Sequence, residues 1–270
     1  MRSGEGSRPR ALSIAGSDSG GGAGIQADLK TFSALGVFGM TAITAVTVQN
    51  TRGVSGVEEL SPGIVADQIR AVVSDIGVDA AKSGMLASTP IVEAVAEAIE
   101  AARIPNLVVD PVFVSKHGHR LLAEDAVDAL RTRILPLATL VTPNLPEASG
   151  LSGLDVRTSE DMAEAARAIL RFGPAAVLVK GGHLQGERSD DLFWDGERMI
   201  WIEGRRLDTP NTHGTGCVLS SAIAAFLARG RDLLTAVWEG KGFVTEALRH
   251  SLSIGHGIGP VDPSWETRPA

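Results

Sequence analysis

Alternation of strand and helix patterns is the feature of this sequence that most limits its fold. Short apolar segments, several of them rich in β-branched residues, are each followed by a stretch with helical spacing of apolar residues. Parallel strands need a crossover connection, usually a helix, so this order predicts a mainly parallel sheet with helices on both faces. The predicted strands are residues 11–15, 40–48, 79–83, 106–109, 138–141 and 175–179, followed by a hairpin of 191–194 and 199–202 around Asp195-Gly196. The predicted helices are residues 24–35, 62–75, 89–102, 123–135, 159–171, 215–229 and 233–251.

Length and composition favour one domain. The chain has 270 residues, of which 44% are hydrophobic, enough for a single large α/β core. It contains no internal repeat, no low-complexity stretch and no convincing linker. We therefore predict a single domain over residues 11–270, preceded by a disordered tail of residues 1–10.

Charge and cysteine content exclude several classes of protein. The formal net charge is −7 and the isoelectric point is near 5.4, which argues against a basic nucleic-acid-binding face. No apolar run is long enough to span a bilayer. The single cysteine, Cys217, excludes an intramolecular disulfide and a multi-cysteine zinc site. A cytoplasmic protein is the expectation.

Polar clusters follow six predicted strands in succession. In an open α/β sheet, ligands bind outside the carboxyl ends of the strands, so these clusters predict a binding site at that edge. Any one of them alone could be an ordinary turn, because Gly, Pro, Asn and Asp dominate turns. They are Gly16-Ser17-Asp18, Gln49-Asn50, Ser83-Gly84-Met85, Asp110-Pro111-Val112, the run from Thr142 to Glu147, and Lys180-Gly181-Gly182-His183.

A Gly-Thr-Gly-Cys run, from Gly214 to Cys217, opens a strongly apolar helix pattern. Unpaired N–H groups and the positive end of the helix dipole make such a turn suited to an anion, which predicts a phosphate cradle. The same field would stabilise a thiolate, so we expect the Cys217 thiol to ionise easily and to serve as a base. The alternative is a small buried helix residue, the usual position of a free cysteine.

The Gly-rich segment after the first strand carries a weaker signal. Residues 22–27 satisfy the dinucleotide pattern G-x-G-x-x-A. That fingerprint needs an acidic residue at the end of the next strand, where this chain has Gln49-Asn50, so a nicotinamide site loses support. No G-x-x-x-x-G-K-[ST] motif occurs.

Three charged residues suit a nucleotide and a metal ion. Lys180 can neutralise the charge of a nucleotide phosphate, although it could also be an ordinary lysine at the end of a strand with no binding role. Asp110 and Glu147 offer oxygen ligands for Mg²⁺, although Glu147 could instead be a first-turn acid of the short helix after Pro146. The run His117-Gly118-His119 lacks a third metal ligand and is interpreted as a loop with solvated histidines.

These motifs together closely resemble the bacterial hydroxymethylpyrimidine/phosphomethylpyrimidine kinases of the ribokinase-like superfamily. The matching segments occur in family order and extend over essentially the whole chain after the first ten residues. They are AGSDSGGGAGIQADLKT (15–31), KSGML (82–86), TPNLPEA (142–148), VKGGH (179–183), NTHGTGC (211–217) and GIGPV (257–261). The chain departs from the family after Ser115-Lys116, where Ser-Gly is usual and His117-Gly118-His119 stands here.

The resemblance implies a three-layer α/β/α sandwich, ribokinase-like, with ATP and Mg²⁺ as cofactors. It implies transfer of the ATP γ-phosphoryl group to a pyrimidine alcohol and then to the resulting monophosphate, in thiamine biosynthesis. A homodimer is a further expectation. The residues implied for pyrimidine binding are Gly16, Ala23, Asp28, Gln49, Met85 and Val112. Those implied for ATP are Asn144, Lys180, Thr212 and Thr215, with Asp110 and Glu147 for the metal and Gly214, Gly216 and Cys217 for catalysis. Cys217 stands where most ribokinase relatives carry an aspartate base.

Elementary chemistry agrees with two of these assignments. The Gln49 amide can both donate to and accept from an aminopyrimidine edge, although Gln49 could instead cap its strand end. The Met85 thioether can lie against the ring. The alternatives are a pyridoxal/pyridoxine kinase, a non-catalytic pyrimidine-binding protein and, more distantly, a dehydrogenase.

Overall fold

A computed structural model describes residues 8–114, 118–119, 121–123 and 125–267. Nine strands form one sheet in the order β3-β2-β1-β4-β5-β6-β7-β8-β9. Neighbours from β2 to β7 pair in parallel, whereas β3, β8 and β9 pair antiparallel at the two edges. The strands are β1 (Arg10–Asp18), β2 (Phe38–Asn50), β3 (Gly53–Glu59), β4 (Ala80–Ser83), β5 (Leu107–Val109), β6 (Leu140–Val141), β7 (Val177–Val179), β8 (Asp191–Trp194) and β9 (Met199–Ile202).

Helices cover both faces of the sheet, which confirms the predicted three-layer α/β/α fold. Successive side chains of a strand point to opposite faces, and β1 accordingly sends Leu12 and Ile14 into one core and Ala11 into the other. The first core lies under α2, α3, α5 and α6, and the second under α1, α7 and α8. The helices are α1 (Gly24–Ala34), α2 (Pro62–Asp75), α3 (Thr89–Ala102), α4 (Ala126–Ala129), α5 (Leu145–Ser152), α6 (Ser159–Leu170), α7 (Thr215–Ala228) and α8 (Leu233–Arg249).

The helix α7 is buried on nearly every side, which explains its almost uniformly apolar sequence. It contacts α8 on one side and α1 on another, and it also lies against β1, β4 and β5. Its N-terminus is thereby fixed near the carboxyl ends of the central strands. None of the described helices is both long and apolar enough to cross a membrane.

Four details differ from the expectations. Residues 1–7 of the predicted tail lie outside the described residues, whereas Arg10 already begins β1 and pairs with Asp79. The strand β3 was missed because its two glycines and two glutamates interrupt any apolar run.

The helix predicted over 123–135 is the short α4 followed by a π-helical turn, Leu130–Ile134. A proline at 136, which has no N–H to donate, limits its continuation. Finally, β2 extends to Asn50, so Gln49 lies within the strand rather than after it.

Candidate active site

The carboxylate of Asp18 organises the loop between β1 and α1. It accepts hydrogen bonds from the backbone N–H groups of Gly20 (2.8 Å), Gly22 (3.0 Å) and Ala23 (2.8 Å). Burial raises the pKa of Asp18, but hydrogen bonds from His213 and the loop outweigh burial and hold that pKa below its ordinary value. The loop is therefore wrapped around one ionised side chain.

A polar row links this loop to the start of α7. His213 Nε2 lies 2.9 Å from Asp18 Oδ2 and 3.3 Å from the amide of Gln49. The other amide atom of Gln49 lies 3.0 Å from Thr47 Oγ1. The backbone N–H and C=O of Gln49 are both hydrogen-bonded by the Ser19 hydroxyl, so the Gln49 side chain does not cap its own strand.

The turn before α7 packs directly against the Gly-rich loop. Gly214, the N-cap residue, has φ +82°, and a Cβ there would lie 1.9 Å from the carbonyl oxygen of Gly22. Only glycine fits both the backbone angle and this contact. The Thr215 hydroxyl donates to the Thr212 carbonyl at 2.8 Å, so these two threonines shape the turn.

A lysine and two acids lie beside the same helix N-terminus. Lys180 Nζ lies 2.9 Å from Asp110 Oδ1 and 3.9 Å from Glu147 Oε2. A Cβ at Gly216 would lie 3.3 Å from Lys180 Nζ and 3.5 Å from Asp110 Oδ2. Burial lowers the pKa of Lys180, but Asp110 and Glu147 raise it above its ordinary value, so Lys180 stays charged. The chain thus brings one cation and two carboxylates to the first turn of α7. Their roles toward a phosphate and a metal ion stay predictions.

Glu147 is the first-turn acid of α5, one of the two interpretations given for it, and its role as a metal ligand stays a prediction. Its carboxylate accepts from the backbone N–H of Asn144, whose side-chain oxygen accepts from the N–H of Glu147, a capping box that begins α5. Burial raises the pKa of Glu147 above its ordinary value, while Lys180 opposes that rise. Carboxylate oxygens suit Mg²⁺, so Asp110 and Glu147 fit this ion chemically. Among the described residues, no group of three or more His, Cys, Asp or Glu side chains forms a metal site by itself.

The Cys217 thiol contradicts the expectation of easy ionisation. Burial raises its pKa to about 11, and Asp28 and Asp110 add to that rise, so the opposing effect of Lys82 does not offset it. Desolvation thus outweighs both Lys82 and the backbone hydrogen bond with Gly24, which lower the pKa. At neutral pH the thiol is protonated, and we correct our expectation accordingly.

Asp28 lies in a buried polar cluster rather than at an exposed surface. Its side chain is wholly buried, and Lys82 Nζ lies 3.0 Å from its Oδ2 in an ion pair that is also wholly buried. The hydroxyls of Ser13 and Ser221 donate to the two oxygens of Asp28. With its carboxylate taken up in this way, Asp28 has no exposed atom for the ring contact we expected.

Of the remaining candidates for the pyrimidine site, two are in contact with each other. A Cβ at Gly16 would lie 3.1 Å from Met85 Sδ, so these two residues are in contact. Ala23 belongs to the loop held by Asp18, and the Val112 N–H donates to the Asp110 carbonyl. His117 lies outside the described residues, and His119 is exposed.

Sequence reasoning gave no role to Asp18, His213 or Lys82, although all three lie within the quoted motifs. An Asp at the end of a strand, before a run of glycines, is a turn-capping signal that could have found Asp18. The partners of His213 and Lys82 are distant in sequence, and no local pattern marks them.

A family model described as phosphomethylpyrimidine kinase matches residues 18–262. The chain belongs to this family. A hydroxymethylpyrimidine/phosphomethylpyrimidine kinase of Streptomyces coelicolor is 53% identical over 257 residues, with 95% of each chain covered. The Escherichia coli protein of the same description is 49% identical, with 94% of this chain and 97% of the relative covered. Membership of a phosphomethylpyrimidine kinase family makes the chain a phosphotransferase and removes the dehydrogenase alternative.

Solved structures agree with the fold. An ADP complex of Bacillus subtilis pyridoxal kinase superposes with a TM-score of 0.90 at 42% identity, covering 96% of this chain and 98% of that one. A phosphomethylpyrimidine kinase from Clostridium difficile superposes with a TM-score of 0.80 at 44% identity, covering 89% and 100%. A Staphylococcus aureus pyridoxal kinase with the same fold was solved with AMP-PCP and pyridoxal.

Proposed function

We propose that this phosphomethylpyrimidine kinase family member transfers the ATP γ-phosphoryl group to 4-amino-5-hydroxymethyl-2-methylpyrimidine. It then phosphorylates the monophosphate to the diphosphate that thiamine biosynthesis uses. The observation that supports this most is the close packing of Gly214 on Gly22, because it joins the loop of the ring side to the helix N-terminus of the phosphate side. A ring and a phosphate chain bound on either side of that contact would meet near Cys217.

On the ring side, Gly16, Ala23, Gln49, Met85 and Val112 remain the proposed pyrimidine contacts. The absence of a side chain at Gly16 leaves Met85 beside the loop. The Gln49 amide supplies a donor and an acceptor to the ring edge. We place Asp28 beneath this surface, where it neutralises Lys82.

On the phosphate side, the N–H groups of Gly214, Gly216 and Cys217 and the Lys180 ammonium face the transferred group, while the Thr215 N–H donates to the Thr212 carbonyl. Phosphoryl transfer depends mainly on positioning and on stabilisation of charge on the moving phosphate, and these groups supply both. Asn144, Thr212 and Thr215 complete the proposed nucleotide surface. Asp110 and Glu147 would hold Mg²⁺, which neutralises phosphate charge when bound.

Cys217 is proposed to orient the attacking hydroxyl as a neutral thiol. Its raised pKa leaves little thiolate to act as a base at neutral pH. A largely dissociative transition state needs little bond formation to the attacking oxygen, so alignment of that oxygen matters more than its prior deprotonation. As the bond from the γ-phosphorus to the ADP oxygen breaks and the new P–O bond forms, the hydroxyl proton passes to an oxygen of the transferred phosphoryl group. Gly214 and Gly216 let the hydroxyl and the phosphate approach the helix closely.

Mass spectrometry of the products formed from ATP, Mg²⁺ and the hydroxymethylpyrimidine tests the proposal. We expect a monophosphate that appears first and a diphosphate that replaces it. Absence of both products, with nucleotide binding intact, would contradict the proposed substrate.

A pyridoxal kinase activity is the second candidate, because pyridoxal kinases superpose on this chain with TM-scores of 0.90. Pyridoxal and pyridoxine in the same assay separate the two substrates, and we expect the pyrimidine to be preferred.

A homodimer also stays a proposal. It is supported by exposed apolar side chains such as Val46 and Val48 on β2, and analytical ultracentrifugation tests it. A cytoplasmic location stays a proposal as well, which cell fractionation tests.

A further inference from the structure

His213 is a buried ring that the proposed chemistry does not use. Only 6% of its surface is exposed, and its Cδ2 edge packs so closely on Gly22 that a Cβ there would lie 2.5 Å away. Its backbone is fixed from the other side, since its N–H donates to the Gly259 carbonyl and its carbonyl accepts from Val261. The ring therefore has one fixed position.

The proton on this ring is fixed by Asp18. The Asp18 carboxylate already accepts three backbone N–H groups, and its pKa lies below the ordinary value, so it is ionised and only accepts hydrogen bonds. The His213 nitrogen that lies 2.9 Å from it must therefore carry a hydrogen. His213 Nε2 is a donor.

That donor in turn determines the direction of the Gln49 amide. The one hydrogen on Nε2 goes to Asp18, so Nε2 has no lone pair to accept from an amide N–H 3.3 Å away, whereas an amide oxygen there is attracted to the ring N–H. We therefore infer that the Gln49 carbonyl oxygen is the amide atom that faces His213. The amide nitrogen then lies 3.0 Å from Thr47 Oγ1 and donates to it. The Thr47 hydroxyl has one hydrogen, which it gives to the Ser17 carbonyl at 2.9 Å. With the Nε2 hydrogen given to Asp18 and the Thr47 hydrogen given to Ser17, this is the direction of the amide in which no donor of the row faces another donor.

The direction of the Gln49 amide matches only one order of donor and acceptor groups along the edge of a bound ring. The remaining lone pair of the Gln49 oxygen accepts on the side of His213, and the second amide N–H donates on the side of Thr47. His213 directly precedes Gly214, the N-cap of α7, so the accepting end is the end nearer the phosphate side. In the aminopyrimidine the donating 4-amino group is next to the hydroxymethyl group, and the accepting ring nitrogen is farther from it.

We propose that His213, with its ring hydrogen fixed by Asp18, is a positioning residue that sets the Gln49 amide to accept from a 4-amino group and to reject a 4-oxo group. A 4-oxo ring presents the reverse order, because its 4-oxygen accepts and its neighbouring ring N–H donates. Against the fixed Gln49 amide, its oxygen would face the amide oxygen and its N–H would face the amide NH₂. The inference rests on the proposed function, because it takes the hydroxymethylpyrimidine as substrate.

Calorimetry with the 4-amino ring and its 4-oxo analogue tests the inference in wild type, His213→Phe and His213→Gln. Phenylalanine keeps a flat ring but removes the donor, so the amide can rotate. We expect the ratio of the two affinities to fall about 10-fold or more, consistent with the loss of oriented hydrogen bonds. In His213→Gln, whose amide can donate, we expect much of the ratio to return. The KM for ATP should stay within about twofold, because neither substitution removes a group that we propose to contact the nucleotide.

A double-mutant cycle separates positioning from general damage. In a Gln49→Leu background, His213→Phe should change the affinity ratio no further, because the amide that it positions is gone. Thr47→Val, which removes the acceptor at the other end of the row, is the second variant if His213→Phe does not fold, and it should shift the ratio in the same direction.

Two results would overturn the inference. One is an equal loss of affinity for both rings in His213→Phe, and the other is a full further loss of the ratio in the Gln49→Leu background. If the wild type binds the 4-amino ring selectively but His213→Phe keeps that selectivity, only this inference fails. If the wild type neither binds nor phosphorylates the 4-amino ring, the proposed function fails and this inference falls with it.

Discussion

At the scale of single residues, Cys217 has the property that most changes the expected chemistry. The residue as a whole is half-buried, and burial of its thiol disfavours the thiolate and raises the pKa to about 11. The first prediction concerns alkylation by iodoacetamide without ligands. Because only the thiolate reacts, the rate should rise about tenfold per pH unit from pH 7 to pH 10. A free thiol of ordinary pKa, as control, should level off near pH 9. A rate that levels off below pH 8 would show that the thiolate is stabilised after all.

A companion prediction is that Cys217→Ala lowers kcat by about 10²–10⁴-fold while the KM for ATP changes little. The alanine leaves the backbone N–H groups of the α7 turn in place but removes the thiol that we propose orients the hydroxyl. Steady-state kinetics with the pyrimidine and ATP measure both constants. Near-normal turnover would make Cys217 a structural helix residue, the alternative that its sequence position leaves open.

Two glycines with the same backbone angle provide a matched test of the contact between the loop and α7. Gly214 and Gly230 both have φ +82°, but a Cβ at Gly230 would meet nothing within 4 Å. Gly230→Ala should therefore cost only backbone strain, about 1–2 kcal/mol, and keep kcat. Gly214→Ala adds a collision with the Gly22 carbonyl, so it should cost about 1–3 kcal/mol more and lower kcat sharply. Urea unfolding and kinetics measure the difference, and equal effects of the two substitutions would contradict the close contact.

At the scale of elements, α5 and α6 carry the same capping box but lie in different surroundings. The box of α5 is Asn144 with Glu147, beside Lys180, and that of α6 is Thr158 with Asp161, at an exposed surface. Thr158→Ala should destabilise the protein by about 1 kcal/mol and leave activity intact. Glu147→Gln keeps an oxygen that can accept from the Asn144 N–H, so it should retain most stability. It should nevertheless raise the Mg²⁺ concentration needed for half-maximal turnover, which a titration at fixed ATP measures. Unchanged Mg²⁺ dependence would remove Glu147 from the proposed metal site.

The elements were predictable where a periodic pattern and a local end signal coincide. The parallel strands and the helices α1, α2, α3, α6, α7 and α8 follow from apolar periodicity, and the Gly-Thr-Gly turn correctly marks the start of α7. The strand β3 has no such pattern, because its pairing with β2 rather than its own side chains holds it. The same limit applies to the site. Lys180, Asp110 and Glu147 follow strands or begin a helix, whereas Lys82 and His213 depend on partners that only the folded chain brings close.

At the scale of the molecule, the ion pair of Lys82 with Asp28 joins β4 to α1 inside the core. Burial lowers the pKa of Lys82, but Asp28 above all raises it above its ordinary value, so the pair is charged. Lys82→Met leaves the carboxylate unpaired and should destabilise the protein by about 3–5 kcal/mol. Adding Asp28→Leu removes that carboxylate, and we expect most of the stability to return. The exposed pair of Arg70 with Asp67 is the control, where Arg70→Met should change stability little. Urea unfolding checks all three variants, and a double mutant no more stable than Lys82→Met would contradict a dominant charge effect.

The contact between Asp18 and His213 spans 195 residues of chain. A ribosome that adds about 5–20 residues per second releases the first of them about 10–40 s before the second. Throughout that interval the nascent β1 and α1 lack the helix that covers Ala27 and Phe32, and the Gly-rich loop lacks the ring that packs on it. Neither substrate can assist folding of the growing chain by binding at the proposed surface, because the two sides of that surface come together only near the end of synthesis.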